Sequence, residues 1–383
     1  MASDWQNAGF ALYLHWPFCQ AKCPYCDFNS FVSDNIDQNA WLTAFQNEIR
    51  RYRTLTGART LNTVYFGGGT PSLMDVSVVG GILDTVRECW NLANNVEITL
   101  EANPTSVEAD KLVGFKYAGV NRVSLGVQAL NDADLKKLGR MHSVEEALKA
   151  IDAARTTFDR VNMDLIYSRQ DQSPESWQDE LNRAIDFDLS HMSLYQLTVE
   201  PNTAFGVRHR AGKLLGLPMD DISADMFDWT ASRMTQAGFD HYEISNFAKP
   251  DHQSAHNGIY WKSGDYIGIG PGAHGRISIK NSRLETIADP SPQLWLMKAL
   301  DCNTGVETTN ALSPGDHGDE FIIMGLRHID GVDLTRYTSI TGKSLNIQDY
   351  LLDDGFLEAS GKTIRATPKG RPLLNKITEV LLT

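Results

Sequence analysis

Hydrophobic residues recur with two different spacings along the first 240 residues of the chain. Short apolar runs predict six β-strands, at residues 10–15, 61–66, 96–100, 120–125, 158–166 and 191–197. Apolar residues three and four positions apart predict a helix after each strand, at residues 37–53, 75–90, 106–118, from 143, from 174 and at 220–236. Six strand-helix repeats favour a parallel sheet and are too few for a closed eight-stranded barrel. The predicted fold class is therefore α/β, with a partial (βα)6 barrel.

Three helix ends carry local signals. Gly119 is predicted to close the helix that begins at residue 106, because glycine adopts the left-handed conformation found after helix C-termini. Ser143 and Glu146 have the spacing of a capping box. Pro174 is expected in the first turn of its helix, where its missing N–H costs nothing.

The pattern changes after residue 240. Residues 241–312 are rich in glycine, histidine and aromatic residues, which indicates loops that bind a ligand rather than fill a core. Residues 313–383 have an ordinary composition and predict a small C-terminal module, helical and winged-helix-like. The predicted division is therefore 1–240, 241–312 and 313–383.

Candidate ligand-binding residues follow the predicted strands. The first strand leads into a loop with three cysteines, and the second leads into the glycine-rich residues 67–71. Glu101, Gln128 and Asp164 lie at or near the ends of the third, fourth and fifth strands. Because ligands bind at the carboxyl ends of parallel strands, we expect these groups to share one site.

Three of the five cysteines, Cys19, Cys23 and Cys26, fall within eight residues. Three thiolates from one loop would hold an iron–sulfur cluster and leave one iron open to another ligand. A structural zinc loop and a thioredoxin-like C-x-x-C are the alternatives, although a zinc finger would need a second pair of ligands. Cys89 and Cys302 stand alone and are predicted to be small buried apolar residues.

Composition limits the classes of function. The chain has 383 residues and a formal net charge of −13, which argues against nucleic-acid binding because phosphate contacts require a basic face. No apolar run is long enough to span a membrane, and the N-terminus lacks the basic and apolar regions of a signal peptide. A cytoplasmic protein without an integral membrane segment is therefore expected.

Several motifs, in their order along the chain, resemble the HemN/HemW group of radical S-adenosylmethionine (SAM) proteins. They comprise residues 13–28 with the three cysteines, the glycine-rich segment 67–71, residues 101–104, 119–128, 138–142 and 242–246, and the sequence HNxxYW at 256–261. The resemblance covers most of the chain and implies a radical SAM barrel, a [4Fe–4S] cluster on Cys19, Cys23 and Cys26, and SAM on the open iron.

Two features separate the classes within this group. The oxygen-independent coproporphyrinogen III dehydrogenases (HemN) have a fourth cysteine two residues after the third and a longer N-terminal arm. Here that position is Phe28, and only eighteen residues precede Cys19. The resemblance is therefore to the HemW class, regarded as haem chaperones that pass haem to respiratory haem proteins. A coproporphyrinogen dehydrogenase and a radical SAM tRNA modifier are the alternative functions.

The resemblance also implies site residues. The implied SAM contacts are Tyr13, Tyr25, Gly69, Thr70 and Glu101, with Gln128, Arg140 and Asp164 completing the cofactor cavity.

His256 of HNxxYW is the implied haem ligand, and a buried structural histidine is the alternative. His252 and His274 lie close enough in sequence to replace it. Haem, an electron donor for the cluster and the haem-accepting proteins are the expected partners, together with a second copy of the chain in a homodimer.

One segment departs from the family. After Tyr167 the group usually continues with a Gly-Leu-Pro turn, whereas this chain has Ser-Arg-Gln-Asp-Gln at residues 168–172. Loss of the glycine and proline changes the chemistry of the turn, so we expect an altered floor of the cavity.

Overall fold

A computed structural model describes residues 4–33 and 35–383. Its strands are β1 (Phe10–Trp16), β2 (Phe18–Cys19), β3 (Phe31–Val32), β4 (Thr60–Gly68), β5 (Asn91–Ala102), β6 (Arg122–Gln128), β7 (Arg160–Tyr167), β8 (His191–Gln196), β9 (Asp240–His241), β10 (Asn246–Ala248), β11 (Asp265–Ile269), β12 (His274–Ile279), β13 (Ser282–Ala288), β14 (Val306–Ala311), β15 (Val332–Asp333), β16 (Leu357–Ser360) and β17 (Thr363–Ala366).

The α-helices are α1 (Gln38–Thr56), α2 (Val76–Cys89), α3 (Ser106–Ala109), α4 (Leu112–Ala118), α5 (Asp132–Lys137), α6 (Val144–Thr157), α7 (Pro174–Ile185), α8 (Ala204–Arg210), α9 (Asp220–Gln236), α10 (Ala255–Trp261), α11 (Pro292–Asp301), α12 (Pro314–Gly325), α13 (Leu334–Thr341), α14 (Asp349–Asp353) and α15 (Leu374–Leu382). Short 3-10 helices span Asp4–Asn7, Pro71–Leu73 and Arg371–Leu373.

The main sheet confirms the predicted fold class. Strands β1, β4, β5, β6, β7 and β8 lie side by side in that order and are parallel, and each corresponds to one of the six predicted strands. Within the described part of the chain the sheet stays open, with β14 at one edge and β9 at the other. The architecture is therefore a partial barrel whose carboxyl ends share one rim.

The predicted helix signals are mostly confirmed. The Ser143 hydroxyl accepts from the Glu146 N–H and the Glu146 carboxylate accepts from the Ser143 N–H, which completes the capping box of α6. Pro174 is in the first turn of α7, and Gly119 closes α4 with φ of 118°. The single helix predicted at 106–118 is wrong, because the chain breaks into α3 and α4 where the Lys111 N–H bonds to the Glu108 carbonyl oxygen.

Residues 241–312 contain more regular structure than the sequence predicted. Strand β11 pairs in parallel with β1, and β12, β13 and β14 continue the same sheet as antiparallel strands. The HNxxYW motif lies on helix α10 rather than in a loop. Strand pairing stabilises this glycine-rich segment, and the apolar pattern did not reveal that pairing. The division of the chain at residue 240 stays a prediction.

Two groups of buried side chains form the interior. The larger one fills the space between the main sheet and its helices, where the indoles of Trp41 on α1 and Trp295 on α11 stack with centroids 5.3 Å apart. The second lies among α12–α15 and the antiparallel sheet β15-β17-β16, as expected for a winged-helix-like module. Cys89 is buried as predicted, whereas Cys302 is exposed because it caps α11 at the surface, so that prediction was wrong.

None of the described helices has both the length and the apolar character needed to cross a lipid bilayer.

Candidate cofactor site

One cavity of about 350 Å³ opens at the carboxyl rim of the parallel strands. Among the residues that line it are most of those predicted from the sequence: Cys19, Cys23, Tyr25, Cys26, Gly69, Thr70, Glu101, Gln128, Arg140 and Asp164. These residues come from the cysteine loop, from the ends of β4 to β7 and from the segment after α5. The parallel topology therefore brings them together, as the strand-end rule requires.

The glycine-rich loop after β4 packs directly on the cysteine loop. The Gly69 N–H donates to the Trp16 carbonyl oxygen at 2.7 Å, and the Thr70 N–H donates to the Phe18 carbonyl oxygen at 2.8 Å. A Cβ atom at Gly69 would lie 2.6 Å from the Phe18 oxygen and 3.0 Å from the Cys19 Sγ. Only glycine permits this approach, so the second loop fixes the backbone that carries the first thiol.

The three thiols of the cysteine loop fit a cluster of several irons. Cys19, Cys23 and Cys26 are free and half-buried, and they line the cavity together. Burial raises the pKa of the Cys19 and Cys26 thiols. Among the described residues, no three His, Cys, Asp or Glu side chains are arranged around a single metal ion. A [4Fe–4S] cluster places each thiolate on a different iron, so these donors suit a cluster better than one zinc ion.

Arg140 joins the cysteine loop to the neighbouring strand ends. Its Nη1 lies 3.4 Å from the Cys23 Sγ, while its Nη2 donates to the Asn103 Oδ1 at 2.5 Å and to the Gly126 carbonyl oxygen at 2.9 Å. A buried guanidinium beside a thiolate stabilises the negative charge of the ligand. Arg140 is therefore placed to hold Cys23 in position.

Glu101 faces the cavity from the end of β5. The Tyr65 hydroxyl donates to its Oε1 at 2.7 Å, and burial raises its pKa to about 7. An acceptor fixed in this way is suited to a hydroxyl donor such as those of a ribose. Beside it, the Asn103 amide donates to the Thr70 Oγ1 at 3.1 Å, which orients the end of the glycine-rich loop.

Gln128 and Asp164 complete the floor of the cavity. Gln128 has φ of 68°, a left-handed conformation that is unusual for a residue with a side chain and that occurs often at functional sites. Asp164 accepts from the Asn162 amide at 2.6 Å and from the Ser124 hydroxyl, and burial raises its pKa. Both side chains are positioned by the main sheet itself.

The structure places Tyr13 outside the cavity. Its ring stacks on Tyr65 behind the glycine-rich loop, and its hydroxyl hydrogen-bonds the His15 Nδ1 at 2.9 Å. The His15 Nε2 in turn hydrogen-bonds the Asn29 carbonyl oxygen of the cysteine loop. Tyr13 pairs in register with Tyr65 and lies three residues before the end of β1, below the rim, so its contact with SAM stays a prediction that this arrangement does not favour.

His256 is also outside the cavity and is enclosed by protein. Its Nδ1 lies 2.7 Å from the Thr63 Oγ1 and its Nε2 lies 2.7 Å from the Tyr260 hydroxyl. The ring stacks on Tyr65, and burial lowers the pKa of His256 to about 3. Both ring nitrogens are occupied, as expected for the structural alternative, so haem ligation by His256 stays a prediction that would require the hydrogen bond at the ligating nitrogen to break.

The two alternative histidines are more accessible. His252 is half-buried, and its Nδ1 has no hydrogen-bond partner within the described residues. His274 is exposed at the start of β12. Either side chain could approach an external iron with less rearrangement than His256.

The turn after Tyr167 uses two non-glycine residues in the left-handed conformation. Ser168 and Asp171 adopt φ of 56° and 61°, and the Asp171 N–H donates to the Gly216 carbonyl oxygen. The Arg169 Nη2 donates to the Glu180 Oε2 at 2.6 Å and to the Asp134 Oδ2 at 2.9 Å. A buried ion pair therefore holds this turn, and Ile166 before it lines the cavity. The altered floor stays a prediction.

Several cavity residues escaped the sequence analysis. Asn103, Ser124, Met141, Tyr195 and Leu197 all line the cavity. Tyr195 could have been found, because it lies at the end of the sixth predicted strand and therefore at the same rim. Met141 follows a loop with no strand signal, so its position depends on the folded chain.

The comparisons with known proteins identify the family of the chain. The family model described as the Radical SAM superfamily matches residues 13–183, and the one described as the HemN C-terminal domain matches residues 312–373. The protein named Heme chaperone HemW from Escherichia coli (strain K12) is 37% identical over 97% of this chain and 98% of its own length. Radical S-adenosyl methionine domain-containing protein 1, mitochondrial, from Danio rerio is 35% identical over 97% of this chain and 86% of its own length.

A solved structure shows the same fold. Coproporphyrinogen III oxidase (HemN) from Escherichia coli, described as a radical SAM enzyme, superposes with a TM-score of 0.81 over 98% of this chain and 90% of its own. Its sequence identity is 24%, so this likeness concerns the fold. Taken with the near full-length relatives, it shows that the chain belongs to the HemN/HemW group of the radical SAM superfamily, and within that group to the HemW type.

Proposed function

We propose that this protein is a haem chaperone that carries a [4Fe–4S] cluster with exchangeable SAM and passes haem to respiratory haem proteins. The relatives named Heme chaperone HemW, from Escherichia coli and from Mycobacterium tuberculosis, match 97% of the chain. Cytoplasmic location, an electron donor for the cluster and a homodimer are parts of the same proposal.

The observation that carries the proposal is the side chain two residues beyond the third cysteine. Phe28 lines the cavity and is 59% exposed, in the place where the coproporphyrinogen dehydrogenases carry a fourth cysteine. An exposed phenyl ring supplies no metal ligand, but it offers a flat apolar surface beside the cluster. Met141 is 67% exposed and also lines the cavity, so the mouth presents apolar contacts suited to a macrocycle.

Different residues of the site would bind the cluster and the separate parts of SAM. Cys19, Cys23 and Cys26 would bind the cluster, and its remaining iron would take the amino and carboxylate groups of SAM. In this superfamily the reduced cluster supplies the electron that cleaves SAM. Glu101 is placed to accept from the ribose hydroxyls, and the glycine-rich loop keeps that ligand close to the cysteine loop.

The position of haem is the open part of the proposal. The network around His256 favours a structural role for that side chain, because iron ligation through either ring nitrogen would leave the hydroxyl of Thr63 or of Tyr260 without its partner. Haem at the cavity mouth would meet Phe28 and Met141 without opening that network.

A second function is favoured by one observation. Gln128, Arg140 and Asp164, which the resemblance implies complete a SAM cavity, all line the cavity of this chain. A complete cavity is compatible with SAM cleavage and therefore with decarboxylation of coproporphyrinogen III. The acidic net charge of −13 gives no comparable support to tRNA modification.

One experiment separates these functions. The protein is reconstituted anaerobically with iron, sulfide and SAM, and it is then titrated with haem while the Soret absorption is recorded. The chaperone proposal predicts saturable haem binding and no steady conversion of coproporphyrinogen III. Multiple-turnover conversion to protoporphyrinogen would establish the enzymatic alternative, and tight salt-dependent binding of tRNA would establish the third.

A further inference from the structure

A basic surface lies on the rim of the main sheet, beside the cysteine loop. Helix α8 and the segment that follows it carry exposed cationic side chains, exposed apolar side chains and one exposed histidine. We call this set the α8 surface, and its members are Val207, Arg208, His209, Arg210, Lys213, Leu215 and Met219. None of these seven described residues lines the cofactor cavity, so the surface is separate from the site already described.

The first turn of α8 is bonded to the cysteine loop. The Phe205 N–H donates to the Pro24 carbonyl oxygen at 2.8 Å. Pro24 lies between Cys23 and Cys26, two of the three candidate cluster ligands. Because an α-helix rises about 1.5 Å per residue, Arg208 is only about 5 Å further along the helix than Phe205. The α8 surface therefore begins next to the backbone that carries the thiols.

The other end of the segment is bonded to the turn after β7. The Leu215 carbonyl oxygen accepts from the Gln170 amide at 2.7 Å, and the Gly216 carbonyl oxygen accepts from the Asp171 N–H at 2.7 Å. The α8 surface is thus fixed at both ends and extends along the rim from the cysteine loop to this turn.

Charge distinguishes the α8 surface from the rest of the chain. The chain has 48 Asp and Glu residues against 35 Lys and Arg, yet residues 201–219 contain three cations and no Asp or Glu. Glu200 and Asp220 flank the segment, but among the described residues none of its three cations forms an ion pair with a carboxylate. The net charge of −13 repels an acidic protein, whereas these cations attract one to this part of the rim.

Apolar side chains are exposed among the cations. Val207 is 57% exposed, Met219 is 65% exposed and Leu215 is 72% exposed. A solvated face would carry the cations alone, whereas apolar groups beside polar ones are typical of a protein interface. Complexes that transfer electrons bury the smallest interfaces, below about 1,200 Å², and charge steers their formation. A small basic surface of this kind suits such a transient partner.

We propose that the α8 surface docks a small acidic protein that donates one electron to the cluster. A donor on α8 is separated from the backbone between Cys23 and Cys26 by the hydrogen bond of Phe205 to Pro24. One electron leaves the reduced flavin or iron–sulfur group of the donor and is accepted by the oxidised cluster, and no covalent bond forms or breaks. This inference rests on the proposed function, because the acceptor is the cluster of that proposal.

A haem-accepting protein on the same surface is the competing description. The contacts of α8 favour the electron donor, because they connect the surface to the cysteine loop. Phe28 and Met141, the exposed apolar side chains that haem would meet, do not belong to the α8 surface.

The test follows reduction of the cluster by stopped-flow absorption in the anaerobically reconstituted protein with SAM. Reduced flavodoxin and reduced ferredoxin are the acidic donors, in parallel series, and reduced methyl viologen is a small cationic reductant. Both acidic donors should reduce wild type more slowly as the ionic strength rises. At low salt they should reduce the triple variant Arg208→Gln/Arg210→Gln/Lys213→Gln about tenfold or more slowly than wild type. Methyl viologen should reduce this variant no more slowly than wild type.

A second triple variant controls for the change in net charge. Lys280→Gln/Lys343→Gln/Lys362→Gln removes three exposed cations at the turn between β12 and β13 and on the C-terminal module. Because these positions are not on the α8 surface, both acidic donors should reduce this variant at about the wild-type rate.

Each outcome decides for or against the inference. Equal rates for wild type and the α8 triple variant, or an equal fall in both triple variants, would overturn it, while saturable haem binding would still support the chaperone proposal. A cluster that methyl viologen reduces but neither acidic donor reduces would also overturn it. Slower haem transfer from the α8 triple variant, with cluster reduction unchanged, would assign the surface to the haem acceptor. Should this variant fail to fold, a wild-type rate that is independent of salt would overturn the inference.

Discussion

His256→Ala is the substitution that best distinguishes a structural histidine from a haem ligand. The imidazole is 1% exposed, and it hydrogen-bonds Thr63, which is 0% exposed, and Tyr260. Removing the ring leaves both hydroxyls without a partner and opens a cavity against Tyr65. At about 1–3 kcal/mol for each of the two orphaned groups, the loss of stability should be about 2–6 kcal/mol.

The assay measures stability and haem binding on the same variants. Urea unfolding of the reconstituted protein gives the midpoint, and a haem titration gives the Soret spectrum and affinity. His256→Ala should unfold at a clearly lower urea concentration than wild type, yet its spectrum with haem should be unchanged. His252→Ala serves as the control for stability, because the ring of His252 is only half-buried and its Nδ1 has no partner among the described residues.

The reasoning would be refuted by the opposite pair of results. If His256→Ala keeps the wild-type midpoint but loses the Soret band or binds haem far more weakly, His256 ligates iron. In that case the bond to iron replaces a hydrogen bond of the His256 ring. A loss of the Soret band in His252→Ala alone would instead assign the ligand to His252.

Three further predictions concern the cofactor site. Gly69→Ala should cost about 1–3 kcal/mol of stability and lower cluster occupancy, measured as iron and sulfide per chain, because the new methyl group meets the Phe18 oxygen; Gly80→Ala, whose methyl group meets only Ala118 at 3.8 Å, should leave occupancy unchanged. The pKa of Glu101 lies at about 7 in the folded protein, against 4.5 for an ordinary glutamate, so the folded state binds the proton more tightly. The stability of the apoprotein should therefore fall as the pH rises from 4.5 through 7. Glu101→Gln should remove that part of the pH dependence, and an unchanged profile would contradict the burial argument. Cys23→Ser should lose the charge-transfer absorption of the cluster together with SAM binding, whereas Cys302→Ser, at an exposed position, should lose neither.

The sequence predicted the parallel half of the sheet well, because each of its strands carries several buried apolar residues, in a continuous run or in alternation with polar ones. It failed for β11–β14, whose glycines and polar residues become strands only by pairing with β1 and with one another. A pairing partner more than two hundred residues away leaves no local pattern. The break between α3 and α4 was missed for a related reason, since apolar spacing does not report the Lys111–Glu108 turn.

For the site, the strand-end rule predicted which residues meet, and the cysteine spacing predicted what they hold. Neither the strand-end rule nor the cysteine spacing predicts whether an individual side chain reaches the cavity. The Tyr13 ring packs against Tyr65 behind the glycine-rich loop, and the His256 ring also stacks on Tyr65, outside the cavity.

Transfer of haem is the most direct test of the central claim. The anaerobically reconstituted protein is loaded with one equivalent of haem, mixed with an apo-form respiratory cytochrome, and followed by absorption until the acceptor spectrum appears; a parallel sample receives coproporphyrinogen III. The account predicts that the acceptor gains haem faster than from free haem in buffer and that coproporphyrinogen III persists. Steady consumption of coproporphyrinogen III with no transfer of haem would contradict it.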